Sequence, residues 1–145
     1  MFHPSLPTLY TSDEQSNSVS RYQIDDFGTL SHVQSEDTVP IECTLDTNVS
    51  EIRISGDGMV LFCSNRGHDT VATFELGGLD GMLLQKGRYE TKHIPQAIEL
   101  TSDGNTLYAA GGDSTGTSFP AESGTFCLQQ PVDIKLPPCL VGCVP

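Results

Sequence analysis

One pattern occurs three times along this chain, and it restricts the fold more than any other feature. Leu9-Tyr10, Leu61-Phe62 and Leu107-Tyr108 each follow a turn, formed by Pro4-Ser5-Leu6-Pro7, Gly56-Asp57-Gly58 and Ser102-Asp103-Gly104-Asn105. Each pair runs into small residues and then a polar loop: Asp13-Glu14-Gln15-Ser16-Asn17, Asn65-Arg66-Gly67-His68-Asp69 and Gly111-Gly112-Asp113-Ser114-Thr115. Matched positions lie about 50 residues apart, the length of one four-stranded propeller blade. Evenly spaced short strands also build sandwiches, but the same loop at the same place in each unit favours blades.

The second copy is the clearest. Glu51-Ile52-Arg53-Ile54-Ser55 alternates polar and apolar residues, as a half-buried strand does. Gly56-Asp57-Gly58 tolerates positive φ and predicts a hairpin, followed by apolar runs over Met59 to Ser64 and Val71 to Phe74. In the first copy Val19 to Ile24 corresponds to Val71 to Leu76, and Phe27 to Leu30 corresponds to the turn and short strand from Asp80 to Leu84. In the third, Ser118-Phe119-Pro120-Ala121 is expected to interrupt the outer strand, because proline lacks a ladder donor. Pro131-Val132-Asp133-Ile134-Lys135-Leu136 can form a further strand, ended by Pro137-Pro138.

The expected fold is therefore all-β, a partial β-propeller of about three four-stranded antiparallel blades. A single domain spans 1–145, with approximate blades at 1–41, 42–95 and 96–145. The first copy begins mid-pattern at Phe2-His3-Pro4-Ser5, as though its inner strand were missing. Propellers typically close with four to eight blades, so the chain is expected to be part of a larger ring or to self-associate through open blade edges.

Composition narrows the partners. Acidic residues outnumber basic ones 19 to 7, a formal net charge of -12, which repels nucleic acid and anionic membranes alike. A small anionic ligand remains compatible, since salt screens distant charges and one local arginine can dominate. The N-terminus has no basic region followed by an apolar run, and no stretch reaches membrane-spanning length, so a cytoplasmic location is expected. The five cysteines match no zinc pattern; Cys63 reads as a small buried hydrophobe, and Cys139 and Cys143 are either reduced or bridged to one another. Neither a metal nor a cofactor is implied.

These motifs resemble the seven-bladed propeller lactonases, a family that includes 6-phosphogluconolactonases and carboxymuconate cyclases. The carrying residues are Phe2-His3-Pro4-Ser5 with Leu9-Tyr10, Asp13-Glu14, Glu51-Ile52 with Ser55-Gly56-Asp57-Gly58, and Ser64-Asn65-Arg66-Gly67-His68-Asp69. Near the end, Pro131-Val132-Asp133-Ile134 and Pro138-Cys139-Leu140 are similar to the family's closing strand. The likeness covers nearly the whole chain apart from Gly116 to Gly124 and corresponds to the last three blades. The chain departs from the family pattern at Gly56 (usually proline), at Gln96 (arginine) and at Gly111-Gly112 (Asn-Gln). Thr11 and Ser12 also stand where the family has apolar residues.

The resemblance implies hydrolysis or formation of a lactone, and the residues can be assigned to that chemistry. In an antiparallel meander, the start of a first strand and the loop between the second and third open toward one mouth. Glu14, Glu51, Asn65, Arg66, His68, His93 and Gln96 are all expected there. Arg66 either holds a phosphate or carboxylate through its planar fork, or pairs with Asp69 or Glu51 to fix the loop. Glu14 or His68 takes a proton from the attacking water, or Glu14 is solvated and His68 braces the loop. Glu51, Asn65, His93 and Gln96 are assigned to substrate binding; His3 and His32 are read as structural or exposed. No Gly-x-Ser-x-Gly elbow is present. The substrate class is a small anionic sugar-type lactone such as 6-phosphogluconolactone, or a related carboxymuconate lactone. The other reading is a non-catalytic propeller fragment or interaction module.

Overall fold

The computed structural model describes residues 1–112, 115–120 and 132–135, and every regular element among them is a β-strand. The first sheet holds β1 (Thr8–Asp13), β2 (Ser18–Ile24) and β3 (Leu30–Asp37) in that order. The second holds β4 (Asn48–Ile54), β5 (Val60–Arg66), β6 (Thr70–Gly77) and β7 (Met82–Glu90). In the third, β8 (Pro95–Leu100), β9 (Thr106–Gly111), β10 (Thr115–Pro120) and β11 (Val132–Lys135) are likewise neighbours in chain order. All pairings are antiparallel, so each sheet is one up-and-down meander, the unit from which propellers are built.

The repeated turn has a repeated cause. After β4, Ser55 Oγ donates to Asp57 Oδ1 at 2.6 Å, Asp57 Oδ1 accepts the Met59 amide at 3.0 Å, and Gly58 takes φ +74°. After β8, Thr101, Asp103, Asn105 and Gly104 reproduce these contacts, with Gly104 at φ +70°. In the first sheet His3 takes the place of this cap: its Nδ1 accepts the Ser5 and Leu6 amides at 3.1 Å each, and its Nε2 meets the Gly58 carbonyl at 2.9 Å. His3 is thus structural. The inner edge of this sheet is no full strand; Phe2 alone pairs with Leu9, while Met1 and Tyr10 exchange main-chain bonds.

Two cores lie between the three sheets. Tyr10, Val19, Leu61, Cys63, Phe74 and Leu83 fill the first seam. Val60, Phe62, Val71, Ile98, Leu107 and Phe119 fill the second. The second sheet is therefore buried on both faces. This is why the run from Val60 to Ser64 is continuously buried rather than alternating: odd and even side chains each meet a neighbouring sheet.

One expectation is corrected. The outer part of the third copy is not interrupted at Ser118 to Pro120. β10 runs unbroken, pairing Phe119 with Leu107 and Pro120 with Thr106, and the Phe119 side chain is wholly buried against Tyr89. Proline is tolerated because it stands at the last position of the strand, where a missing donor interrupts no ladder. Val132–Lys135 does form the strand read from the sequence, opposite Thr115–Ser118. The readings made for Asp113, Ser114, Cys127, Cys139, Cys143 and the segments 121–131 and 136–145 lie outside the described residues.

At one end of the sheets the first seam is latched by buried polar groups. The Tyr10 hydroxyl donates to the Gly81 carbonyl at 2.5 Å, and Arg21 Nη1 reaches the Asp80 carbonyl at 2.6 Å and its carboxylate at 3.1 Å. At the opposite end Thr38, also fully buried, gathers three chain segments. It bonds the Asn17 carbonyl through its amide and hydroxyl, and its own carbonyl accepts Asn65 Nδ2 at 3.2 Å and Arg88 Nε at 2.7 Å. That second end carries the candidate site.

Candidate functional site at the rim of the sheets

Register fixes which loops share this rim. Asp13 stands opposite Ser18, Asn48 opposite Arg66, Thr70 opposite Glu90 and Pro95 opposite Gly111. The β1–β2 and β5–β6 loops, and the β3–β4 and β7–β8 connections, therefore emerge at one end. Arg66 closes β5, so its guanidinium projects over the first seam, where Nη2 donates to Glu14 Oε1 at 2.5 Å. It pairs with neither Asp69 nor Glu51. Nη1 has no partner among the described residues, and Nε is buried without one.

The loop that carries Arg66 is pinned from below. Gly67 takes φ +85°, and a Cβ there would stand 2.1 Å from the Asp46 carbonyl oxygen, so only glycine lets the β3–β4 connection pass. His68 Nδ1 meets the Thr70 hydroxyl at 2.8 Å, and that hydroxyl accepts Asn65 Nδ2 at 3.1 Å. Asn65 is wholly buried, its amide shared between Thr70 and the Thr38 carbonyl. It supports the loop from inside.

Asp69, which sequence reasoning treated only as a possible partner for Arg66, ties the second seam. Its Oδ2 meets His93 Nδ1 at 2.9 Å, and its Oδ1 accepts the amides of Ile94 at 2.9 Å and Gly67 at 3.1 Å. Burial pushes this carboxyl up, but the bonds from His93, Ile94 and Gly67 outweigh it and hold the group below the ordinary carboxylate range. The signal in the sequence was its place in Gly67-His68-Asp69, but nothing local identified His93 as its partner.

Glu51 and Gln96 stand elsewhere. They line a cleft of about 590 Å³ between β4 and β8, together with Arg53, Ala97, Glu99 and Tyr108. Glu51 is committed there: Oε1 pairs with Arg53 Nη2 at 2.5 Å and Oε2 accepts the Ile98 amide at 2.8 Å. The Gln96 carbonyl accepts the Ser50 hydroxyl at 2.8 Å. Of the seven residues expected at the mouth, the structure brings Glu14, Arg66, His68 and His93 onto the rim, puts Glu51 and Gln96 in the adjoining cleft, and places Asn65 beneath. Among the described residues no group of three His, Cys, Asp or Glu side chains is set to hold a metal ion, and no helix is long and apolar enough to cross a membrane.

Known proteins share this fold. Residues 1–133 match the family described as "Lactonase, 7-bladed beta-propeller". The chain is similar to the 6-phosphogluconolactonase of Yersinia pestis, 30% identical over 114 residues, covering 78% of this chain and 34% of the relative. It is similar to that of Cronobacter sakazakii at 28% over 115 residues, covering 79% and 34%. A crystal structure of a protein from Lactobacillus plantarum superposes with a TM-score of 0.85 at 25% identity, covering 94% of this chain and 41% of that one. The chain thus spans about a third of the length of these curated relatives. With three consecutive antiparallel meanders, a shared rim and a family match over 1–133, this chain belongs to the seven-bladed β-propeller lactonases.

Proposed function

We propose that this chain acts in hydrolysis of a small anionic lactone, with 6-phosphogluconolactone as the leading candidate and a carboxymuconate-type lactone as a related one. The observation that carries the reading is the Glu14–Arg66 pair at the rim, in a chain of the lactonase family whose relatives include 6-phosphogluconolactonases.

The chemistry follows from the groups present. The open Nη1 donors of Arg66 suit a phosphate or carboxylate, and they supply local positive charge on a chain of net charge -12. Groups able to accept a proton from water, Glu14, His68 and His93, stand on the same rim. When the Thr70 hydroxyl donates to His68 Nδ1, His68 Nε2 becomes a hydrogen-bond donor suited to a developing oxyanion. The cleft beside Glu51 and Gln96 would receive the remainder of the ring.

The test is direct. Purified chain is expected to hydrolyse 6-phosphogluconolactone faster than the spontaneous reaction, and Arg66→Ala to remove most of the gain. Equal rates with and without protein would leave the reading without support, and a panel including a muconate-derived lactone would rank the substrates.

A further inference from the structure

We infer that His93, oriented by Asp69, is the proton acceptor that activates the attacking water, while Glu14 serves to hold Arg66. The inference rests on the hydrolase reading and assigns a pair of roles within it.

A general base needs a lone pair that is accessible and not already engaged. Glu14 spends one carboxylate oxygen, Oε1, on Arg66, so its orientation is tied to the guanidinium. His68 has Nδ1 against Thr70 and carries its hydrogen on Nε2 when the hydroxyl donates. His93 is different. The Asp69 carboxylate can only accept, so Nδ1 of His93 holds the hydrogen and the Nε2 of the neutral ring holds a lone pair. That nitrogen has no partner among the described residues, and the side chain is 65% exposed on the rim.

The surrounding backbone is built to hold this pair. Both Asp69 oxygens are occupied, one by His93 and the other by the Ile94 and Gly67 amides, so the carboxylate cannot swing away. The Asp69 carbonyl also accepts the Thr91 amide at 2.9 Å. Ile94 adopts φ +53°, a left-handed conformation that a β-branched residue takes only under constraint. At this bend the Ile94 amide donates to Asp69 and the His93 side chain is exposed. A simple brace between two sheets would be served by the amide bonds alone. It has no use for an exposed imidazole held by an aspartate that stands three residues along the loop from Arg66. The logic is that of the carboxylate–imidazole pairs in hydrolases, where the carboxylate sets the tautomer.

The step balances. His93 Nε2 takes a proton from water as its oxygen bonds to the lactone carbonyl carbon, giving a tetrahedral oxyanion and an imidazolium paired with Asp69. Collapse re-forms the carbonyl and breaks the ring C–O bond, and the imidazolium returns its proton to the departing ring oxygen. One water is added across the ester, and His93 is regenerated.

Four forms of the chain test this on 6-phosphogluconolactone, with circular dichroism and melting curves to verify folding: the unmodified chain, His93→Gln, His93→Gly and Asp69→Asn. His93→Gln is expected to lower kcat by about 100-fold or more with little change in KM. Asp69→Asn keeps an acceptor for the backbone amides but offers Nδ1 a donor, moving the ring hydrogen to Nε2. It is therefore expected to lose kcat comparably while retaining its fold. Added imidazole should restore rate to His93→Gly and not to Asp69→Asn, a response that a purely structural residue would not give. Unchanged kcat in folded His93→Gln, or in folded Asp69→Asn, overturns the assignment while the hydrolase reading stands. No acceleration by the unmodified chain overturns both.

Discussion

Arg66 Nη2 lies 2.5 Å from Glu14 Oε1, although 52 residues separate them in the chain. The contact bridges the first and second sheets at the rim, with the arginine side chain 32% exposed and the glutamate 62%. An exposed pair of this kind contributes roughly 0–1 kcal/mol to stability. Its value lies in presenting the guanidinium at a set angle. Glu14→Gln is accordingly expected to leave the melting temperature within a few degrees of the unmodified chain. Arg66→Ala is expected to lower kcat/KM for an anionic lactone by roughly 10- to 100-fold, the worth of a charge-assisted bond. Arg66→Lys should recover only part, because an ammonium cannot reproduce the planar fork. Steady-state hydrolysis and thermal melts check all three.

The loop beneath that arginine depends on one glycine. Gly67→Ala imposes a left-handed backbone on a residue with a Cβ and drives that atom into the Asp46 carbonyl, whereas Gly104→Ala meets nothing within 4 Å. Gly104→Ala is expected to cost about 1–2 kcal/mol from backbone strain alone, and Gly67→Ala clearly more. Paired denaturant titrations should show the Gly67 variant with the lower midpoint. Equal midpoints would mean that the β3–β4 connection yields freely.

The third sheet offers a test of packing. Phe119 is wholly buried in the second core, edge-on to Tyr89 with ring centroids 6.4 Å apart. Phe119→Ala is expected to destabilise by about 3–5 kcal/mol. Phe27, at the tip of the β2–β3 hairpin and 94% exposed, should cost almost nothing when truncated in the same way. Chemical denaturation of both variants gives the comparison.

Alkaline pH should loosen the first seam. Burial pushes the Tyr10 hydroxyl from its ordinary value near 10 up to about 12, the main cause, with Arg21 and Asp80 acting in opposite senses. A folded-state value above the unfolded one means that the stabilisation is complete below pH 10 and is lost as pH rises toward 12. Burial also pushes the Cys63 thiol up, which adds to the same alkaline loss. Tyr10→Phe should weaken the chain near neutrality by about 1–2 kcal/mol, because the buried Gly81 carbonyl loses its donor, yet flatten the decline between pH 10 and 12. Stability measured against pH for both forms would reveal a crossing tendency, and parallel curves would refute the role given to the hydroxyl.

Much of this was legible in the residues. Ser55-Gly56-Asp57-Gly58 and Thr101-Ser102-Asp103-Gly104 announce their turns because the bonds that make them join residues two to five positions apart. The apolar run of β5 announces a strand, and the two cores on either side show that both its faces are buried. The polar loop from Asn65 to Asp69 stands out because it packs a cation, an imidazole and a carboxylate into a few positions. Strand β10 was misread at Pro120, since a proline is harmful or harmless according to its place in the ladder, and that place is set by the partner strand.

Local patterning thus determined the strands, the turns and the end of the sheets at which the polar loops emerge, because backbone preference and side-chain alternation act over a few residues. Which charge meets which was decided only by how neighbouring sheets lean together. Arg66 turned to Glu14 across the first seam, and Asp69 turned to His93 across the second, at separations of 52 and 24 residues. Pairing energies between such groups depend on a few ångströms of approach, and those ångströms are set by the two apolar cores between the sheets rather than by the loops themselves.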